Sequence, residues 1–428
     1  MILKAEEFQN NLEYARFMDD IDSLFSIRHR FQIPEKDGKQ IIYFCGNSLG
    51  LKPASTAYLM DKELKKWGDL AVDGHFAEED PWFSYSEDNR ASLARIVGAK
   101  MQEVIPMNSL TVNLHLLMIS FYKPTKERYK IIMEGGAFPS DQYAMETQVR
   151  MHGLNPEEVI IELHPREGEY TLREEDIFNT IEEHGESLAL VMMAGVHYYT
   201  GQYYPLREIT EKAHKVGALC GFDLAHATGN LPLELHDWNV DFACWCSYKY
   251  LNSGPGAVGV AFVHEKWAND PDVFRLGGWW GNDPKTRFKM EKGFLPAKGA
   301  QSWQMSNAPV FNMIGLKASM DIFDTVAMAD LRKKSIALTN YLYFLLNDLT
   351  KFGFKIITPE NPNQRGAQLS LLFKDKGKEL FDYLTENGVV MDWREPNVIR
   401  IAPVPLYNTF EEVYTFAKLV ENYFNQEN

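Results

Sequence analysis

The chain has 428 residues, 45% hydrophobic and 24% charged, ordinary proportions for a globular protein with room for two or three domains. Its formal net charge of −15 argues against a nucleic-acid partner, because gripping phosphate backbones takes a basic face. The charged, amphipathic start over residues 1–17 has no signal-peptide core and no apolar run nears a membrane span, so a soluble, cytoplasmic protein with no membrane contact is expected.

In chain order, the first hundred residues read as mostly helical. Met60, Leu64 and Trp67 recur at i, i+4 and i+7 behind Ser55, which predicts an amphipathic helix with Ser55 as N-cap. From about residue 105 short apolar runs alternate with longer amphipathic ones. The strand candidates are Tyr129–Met133, Val159–Leu163, Leu188–Met193, Ala218–Phe222, Phe242–Cys246 and Val258–Val263. Near-continuous apolar strands alternating with helices predict an α/β fold, a mainly parallel sheet with helices on both faces. After residue 310 a long helix is expected, with Leu331, Leu338, Leu342, Leu345 and Leu349 on one stripe, then short strands near Lys355–Ile357, Gln368–Leu372 and Val398–Ile401. The pattern divides the chain into a segment 1–70 that joins a smaller α+β domain, a large domain 71–310, and the rest of the smaller domain, 311–428. The four cysteines, Cys45, Cys220, Cys244 and Cys246, fit neither a zinc site nor a disulfide framework and read as free thiols; no metal site is expected.

Two residues stand at strand ends. Asp223 follows the run Ala218–Phe222, and Lys249 comes 26 residues later, just past Phe242–Cys246. Neighbouring parallel strands would aim both into the crevice above the sheet, where such sheets bind ligands. Pyridoxal phosphate (PLP) needs this pair: an amine to form an imine with its aldehyde, and a carboxylate to keep its ring nitrogen protonated. Taken alone, the ordinary reading of the pair is a strand-end ion pair or two solvated residues. Two further segments bear on the choice. Ser109, Leu110 and Thr111 begin a buried helix whose first turn offers free N–H groups to a phosphate, although an ordinary capped helix looks the same. Phe138 in Phe-Pro-Ser-Asp follows a strand and a Gly-Gly turn, placed to stack on a ring, with Asp141 at its polar edge.

Several longer motifs decide the reading: Tyr43-Phe-Cys-Gly-Asn-Ser-Leu-Gly, Met107-Asn-Ser-Leu-Thr-Val-Asn-Leu-His, Phe138-Pro-Ser-Asp, Gly195-Val-His-Tyr-Tyr-Thr-Gly-Gln, Phe222-Asp-Leu-Ala-His-Ala, Trp245-Cys-Ser-Tyr-Lys-Tyr-Leu-Asn-Ser-Gly-Pro-Gly, Gly278-Trp-Trp-Gly and Ile401-Ala-Pro-Val-Pro-Leu-Tyr-Asn. Through them most of the chain resembles the kynureninase family, in the class-V branch of fold-type-I (aspartate-aminotransferase type) PLP enzymes.

The resemblance implies the following roles. Lys249 is the Schiff-base lysine and the base at the substrate Cα. Asp223 holds the pyridine nitrogen with Asp141 nearby, Phe138 stacks on the ring, and His226 lies beside it. Leu110, Thr111, Tyr248 and Trp279 contact the phosphate, Trp279 from a second subunit of a homodimer, and Asn307 adds a cofactor contact. Tyr248 is also the candidate proton donor, or a phosphate ligand alone. Arg400 takes the substrate α-carboxylate, and Ser48, His75, Ser306 and Asn307 face its aryl end. The implied reaction is hydrolysis of the Cβ–Cγ bond of L-kynurenine or 3-hydroxy-L-kynurenine to L-alanine and an anthranilate, a step of tryptophan catabolism, with the 3-hydroxylated substrate preferred. Two positions depart from the family pattern: Ala194 stands where some relatives have serine, and Asn282 where His is common. The competing readings are another class-V enzyme (a desulfurase or an aminotransferase) and a non-catalytic PLP-binding relative.

Overall fold

The computed structural model describes residues 8–426; residues 1–7 of the amphipathic start, and residues 427–428, lie outside the described residues. The larger sheet has seven strands: β1 Val104–Pro106, β2 Lys130–Glu134, β3 Ile160–Leu163, β4 Leu188–Ala194, β5 Leu219–Asp223, β6 Phe242–Cys246 and β7 Gly259–Val263. They are ordered β1-β7-β6-β5-β4-β2-β3. The pairs from β3 through β6 are parallel, and β7 runs antiparallel to both β6 and β1. The six strand candidates fall on β2–β7 to within one residue at each end. The three-residue β1 was too short to stand out as a run.

Alternate residues of a strand serve opposite faces, and the buried side chains divide accordingly. Ile132, Val191 and Met193 pack with Ile177, Ile181 and Ile209 from the helices Glu174–Glu183 and Leu206–Lys215. Ile131, Leu190 and Met192 pack on the other face with Leu114, Leu117 and Met118 from the helix Leu110–Phe121, and with Ala144, Met145 and Val149 from Pro139–Met151. Both faces are thus covered, as the apolar strands demanded.

A second, antiparallel sheet contains β8 Phe354–Ile356, β9 Leu369–Phe373, β10 Asp392–Arg394 and β11 Val398–Ile401, ordered β8-β9-β11-β10. Its core includes Leu338, Leu342, Leu345 and Leu349 of the expected stripe, the final helix Phe410–Gln426, and Phe8, Ala15, Met18 and Phe44 from the N-terminal segment. Leu331, one end of that stripe, reaches the larger cluster instead. The expected division near residue 310 falls at the start of a helix, Val310–Phe323, whose Met313, Leu316 and Met320 pack into the larger cluster. Asp19 ties the ends of the chain together: its carboxylate accepts the N–H groups of Phe410 and Glu411 at 2.7 and 2.9 Å, capping the last helix from afar.

One expectation fails. The helix Thr56–Leu70 forms, but Ser55 makes no side-chain capping bond. Leu64 and Trp67 are 46% and 58% exposed, while Glu63 and Lys66 are buried. The reason is local: Lys66 Nζ meets Glu63 at 3.1 Å and the Asp80 carbonyl at 2.9 Å, and Trp82 Nε1 donates to Glu63 at 2.7 Å. This satisfied polar network faces inward and turns the apolar stripe outward.

Candidate active site

A cavity of about 360 Å³ opens at the carboxyl ends of β2, β4, β5 and β6, the place where parallel α/β sheets bind ligands. Asp223 closes β5 and Lys249 lies three residues past the end of β6, its parallel neighbour. Both line the cavity, together with Ser48, Leu110, Thr111, Phe138, Asp141, His226, Tyr248 and Arg400. Ten of the residues singled out in the sequence therefore meet in one place.

Local backbone geometry explains how they arrive. Asn108 adopts the left-handed conformation (φ 49°) that Asn tolerates, and turns β1 into the helix at Leu110. Ser109, at the N-cap, makes no side-chain capping bond, so the first-turn N–H groups remain available to a ligand. Pro139 starts the next helix at its first position, leaving Phe138 at the cap and Asp141 one turn inside. Gly50 lets the Ser48 turn press on the lysine loop. Its N–H donates to the Tyr248 carbonyl at 2.7 Å, and a Cβ there would sit 2.4 Å from the Lys249 carbonyl oxygen.

The charges are paired with care. Asp223 Oδ1 accepts the Ala225 N–H at 2.7 Å. Burial and the charge of Asp223 push the Asp141 carboxyl well up, so Asp141 is the protonated member of the pair and donates to Asp223. Asp141 Oδ1 is buried without a partner among the described residues. Lys249 Nζ bonds His226 Nε2 at 2.9 Å and lies 5.8 Å from the centre of the Phe138 ring. Burial, then the charge of Lys249, pushes the His226 pKa far down, so the imidazole is neutral and Nε2 accepts from the ammonium. Burial raises the Tyr248 phenol, which holds its proton at neutral pH.

These residues fit PLP on the structure's own terms. The free helix start matches a phosphate, the Phe138 face a ring, Asp223 a protonated ring nitrogen, and Lys249 an aldehyde. The orphaned oxygen of Asp141 marks the same polar end. The related proteins point the same way. A kynureninase of Flavobacterium psychrophilum is 52% identical over 417 residues, 97% of this chain and 98% of that protein. The chain belongs to the kynureninase family. Kynureninases of Myxococcus xanthus and Nematostella vectensis are 51% and 48% identical, with 97% and 96% of this chain covered and 98% and 94% of theirs. The kynureninase C-terminal domain model matches residues 331–420. Among solved structures, an apo cysteine desulfurase from Thermococcus onnurineus has a TM-score of 0.74 at 19% identity, covering 90% of this chain and 95% of its own. A C-DES variant with glycine covalently linked to its PLP cofactor has a TM-score of 0.77 at 16% identity, covering 92% and 99%. They share the PLP fold-type-I architecture, and PLP is the cofactor of this kynureninase-family chain.

Four of the expected site residues lie outside the cavity of the single chain. His75 packs edge-on against Trp82, with ring centres 5.4 Å apart. Trp279 is 48% exposed and donates from Nε1 to the Arg287 carbonyl at 3.2 Å. Ser306 and Asn307 are exposed on the loop before Val310–Phe323. The departure at Asn282 has a structural use, since Oδ1 accepts the Leu295 N–H at 2.8 Å and Nδ2 donates to Thr286.

The cavity also contains residues that the sequence reading missed: Asn47, Glu134, Ser140, Val196, Tyr198 and Arg394. Glu134 closes β2 as Asp223 closes β5, so the same strand-end signal could have found it. It accepts the Ala194 N–H at 3.1 Å. Burial, with the charge of Asp223, raises its carboxyl to about 7. Tyr198 stands edge-on to Phe138 at 5.3 Å, inside a motif that had been noted but given no task.

Proposed function

We propose that this chain hydrolyses the Cβ–Cγ bond of L-kynurenine or 3-hydroxy-L-kynurenine, giving L-alanine and anthranilate or 3-hydroxyanthranilate. The observation that carries the proposal is the meeting of Lys249, Asp223, Asp141, Phe138, Tyr248 and Arg400 around one cavity in a chain of this family. When bound, PLP supplies an electron sink for the pair left at the substrate carbon. Lys249 would hold the cofactor through its aldehyde, and its amine is placed to take the proton from the substrate Cα. Asp223 holds the proton on the ring nitrogen, and protonated Asp141 keeps Asp223 as the charged member of the pair. Leu110 and Thr111 offer backbone N–H groups to the phosphate, and Phe138 covers the ring. Tyr248 keeps its proton at neutral pH, which suits it to return a proton to Cβ after the aryl group leaves. Arg400 takes the α-carboxylate, and Ser48, 3.4 Å from its Nη2, borders the same pocket.

We further propose a homodimer in which His75, Trp279, Ser306 and Asn307 complete the site of the partner. Its support is the apolar surface near them: Leu64, Trp67, Val72, Phe76 and Phe311 are all exposed, with Trp67 against Phe311 and Phe76 beside His75, a grouping that marks interaction surfaces. The polar character of His75, Ser306 and Asn307 favours the 3-hydroxylated substrate, since a site built for a hydroxyl penalises its loss. A cytoplasmic setting agrees with four unpaired cysteines. No helix among the described residues is long and apolar enough to cross a membrane.

The test is steady-state turnover of the PLP-loaded protein on both substrates, with L-cysteine as control. The expected result is L-alanine with the matching anthranilate, a higher kcat/KM on 3-hydroxykynurenine, and no sulfide from cysteine. Sulfide release without anthranilate would overturn the assignment, and a tenfold preference for kynurenine the substrate order.

A further inference from the structure

Asp392 and Arg400 face each other across the β10–β11 ladder, and Arg394 lies two residues along β10, so all three share one face of the sheet. Arg400 is 2% exposed and already engaged. Its Nε and Nη2 approach Asp392 Oδ1 at 2.9 and 2.8 Å, and Nη1 donates to the Tyr198 carbonyl at 2.8 Å. The guanidinium edge best shaped for a carboxylate is therefore taken by Asp392. Asp392 remains ionised: burial opposes this, but the hydrogen bond and charge of Arg400, the charge of Arg394 and the Ser48 hydroxyl hold its carboxyl below the usual range. The Arg400–Asp392 pair consequently carries no net charge with which to draw in an anion.

Arg394 changes that balance. Its Nη2 meets the other Asp392 oxygen at 3.0 Å, while its Nε is buried without a partner among the described residues. The side chain is 33% exposed and lines the same cavity. Two guanidinia and one carboxylate leave one positive charge, enough for one substrate carboxylate. The other charged groups lining the cavity are Lys249 and the Asp223 carboxylate, which are of opposite sign, and Glu134, whose carboxyl is raised to about 7; His226 is neutral.

We propose that Arg394 is a second residue for the substrate α-carboxylate, supplying the net positive charge that the Arg400–Asp392 pair lacks. The proposal rests on the amino-acid substrate assigned above. It separates from a purely structural role, in which Arg394 merely packs 5.8 Å from the Tyr198 ring centre, by charge bookkeeping.

The experiment compares wild type, Arg394→Gln, Arg394→Lys and the double variant Asp392→Asn/Arg394→Gln, all loaded with PLP. Two quantities are measured: KM and kcat for kynurenine, and the dissociation constant of L-alanine from the change in the cofactor's visible absorption, which needs no turnover. Losing one charge-assisted carboxylate contact raises KM and the L-alanine constant roughly thirtyfold in Arg394→Gln. The expected kcat stays within about threefold and the thermal midpoint is unchanged, because the group acts on binding alone. Arg394→Lys keeps the charge and most of the affinity. In the double variant Arg400 faces a neutral amide in place of the Asp392 carboxylate, the net charge returns to plus one, and binding recovers to within about fivefold of wild type. Arg394→Gln binding L-alanine as wild type does, or a double variant no better than Arg394→Gln, would overturn the proposal. Wild type that binds L-alanine but leaves kynurenine intact would instead count against the reaction, and the L-alanine series would still decide the role of Arg394.

Discussion

Gly259 should govern cofactor affinity without touching the cofactor. It begins β7 beside the start of the helix Leu110–Phe121, and a Cβ there would lie 2.9 Å from both Leu110 N and Ser109 C, and 3.1 Å from Asn113 Nδ2. Relaxed carbon contacts need about 3.5 Å or more, so Gly259→Ala must push the helix start by roughly 0.5 Å. Asn113 resists the move, being bonded to the Met107 carbonyl at 2.9 Å and to Asn108 at 3.0 Å. A shift of that size takes a good hydrogen bond to a phosphate beyond its useful length. Losing one charge-assisted bond costs about 2 kcal/mol, roughly thirtyfold in affinity. Overpacking should also lower apo-protein stability by about 1–3 kcal/mol. Titration of apo-protein with PLP, followed by visible absorption, measures the first effect, and thermal unfolding the second. A destabilised variant that binds PLP within threefold of wild type would refute the helix start as the phosphate seat.

Three further outcomes are expected. Glu134 has an ordinary value near 4.5 and a folded value of about 7, so the folded apo-protein keeps a proton that the unfolded chain has released between them. That stability is complete below the unfolded value and is lost as pH rises through about 7, by up to on the order of 3 kcal/mol. Glu134→Gln should therefore flatten the fall in apo-protein thermal midpoint across this window, leaving the contribution of Asp19, raised by burial to about 6; parallel curves for the two proteins would contradict it. Asp223→Asn should retain PLP, because Lys249 and the helix start remain, yet lose kcat on the order of a hundredfold or more; near-normal kcat would remove Asp223 from its assigned task. Trp67→Glu places a charge in the exposed apolar patch and should shift sedimentation from dimer to monomer, whereas an unchanged sedimentation coefficient would place the interface elsewhere.

The strands were legible because both sheet faces are covered, which writes uninterrupted apolar runs such as Phe242–Cys246 into the chain. The same clarity exposed Asp223, a charge ending such a run. Glu134 ends Lys130–Glu134 in the same way and was passed over, because nothing in the sequence pairs it with a cation. Arg394 was hidden for a different reason: its strand is three residues long, and its placement depends on the cross-strand register with Val398–Ile401. The helix Thr56–Leu70 shows the limit of periodicity. Its apolar stripe was read correctly as a stripe, but which side faces inward depends on the Glu63–Lys66–Trp82 contacts, which only the fold assembles. His75, Trp279, Ser306 and Asn307 carry their roles through family resemblance alone, since one chain does not bring them to the cavity.

The central claim is that the Lys249 site splits the Cβ–Cγ bond by hydrolysis, which requires the oxygen of one water to end in the carboxylate of the aryl product. Turnover of L-kynurenine in heavy-oxygen water, with mass analysis of both products, reads this directly. One labelled oxygen in the anthranilate carboxylate and none in L-alanine is the predicted result; unlabelled anthranilate, or alanine formed without any anthranilate, would contradict it.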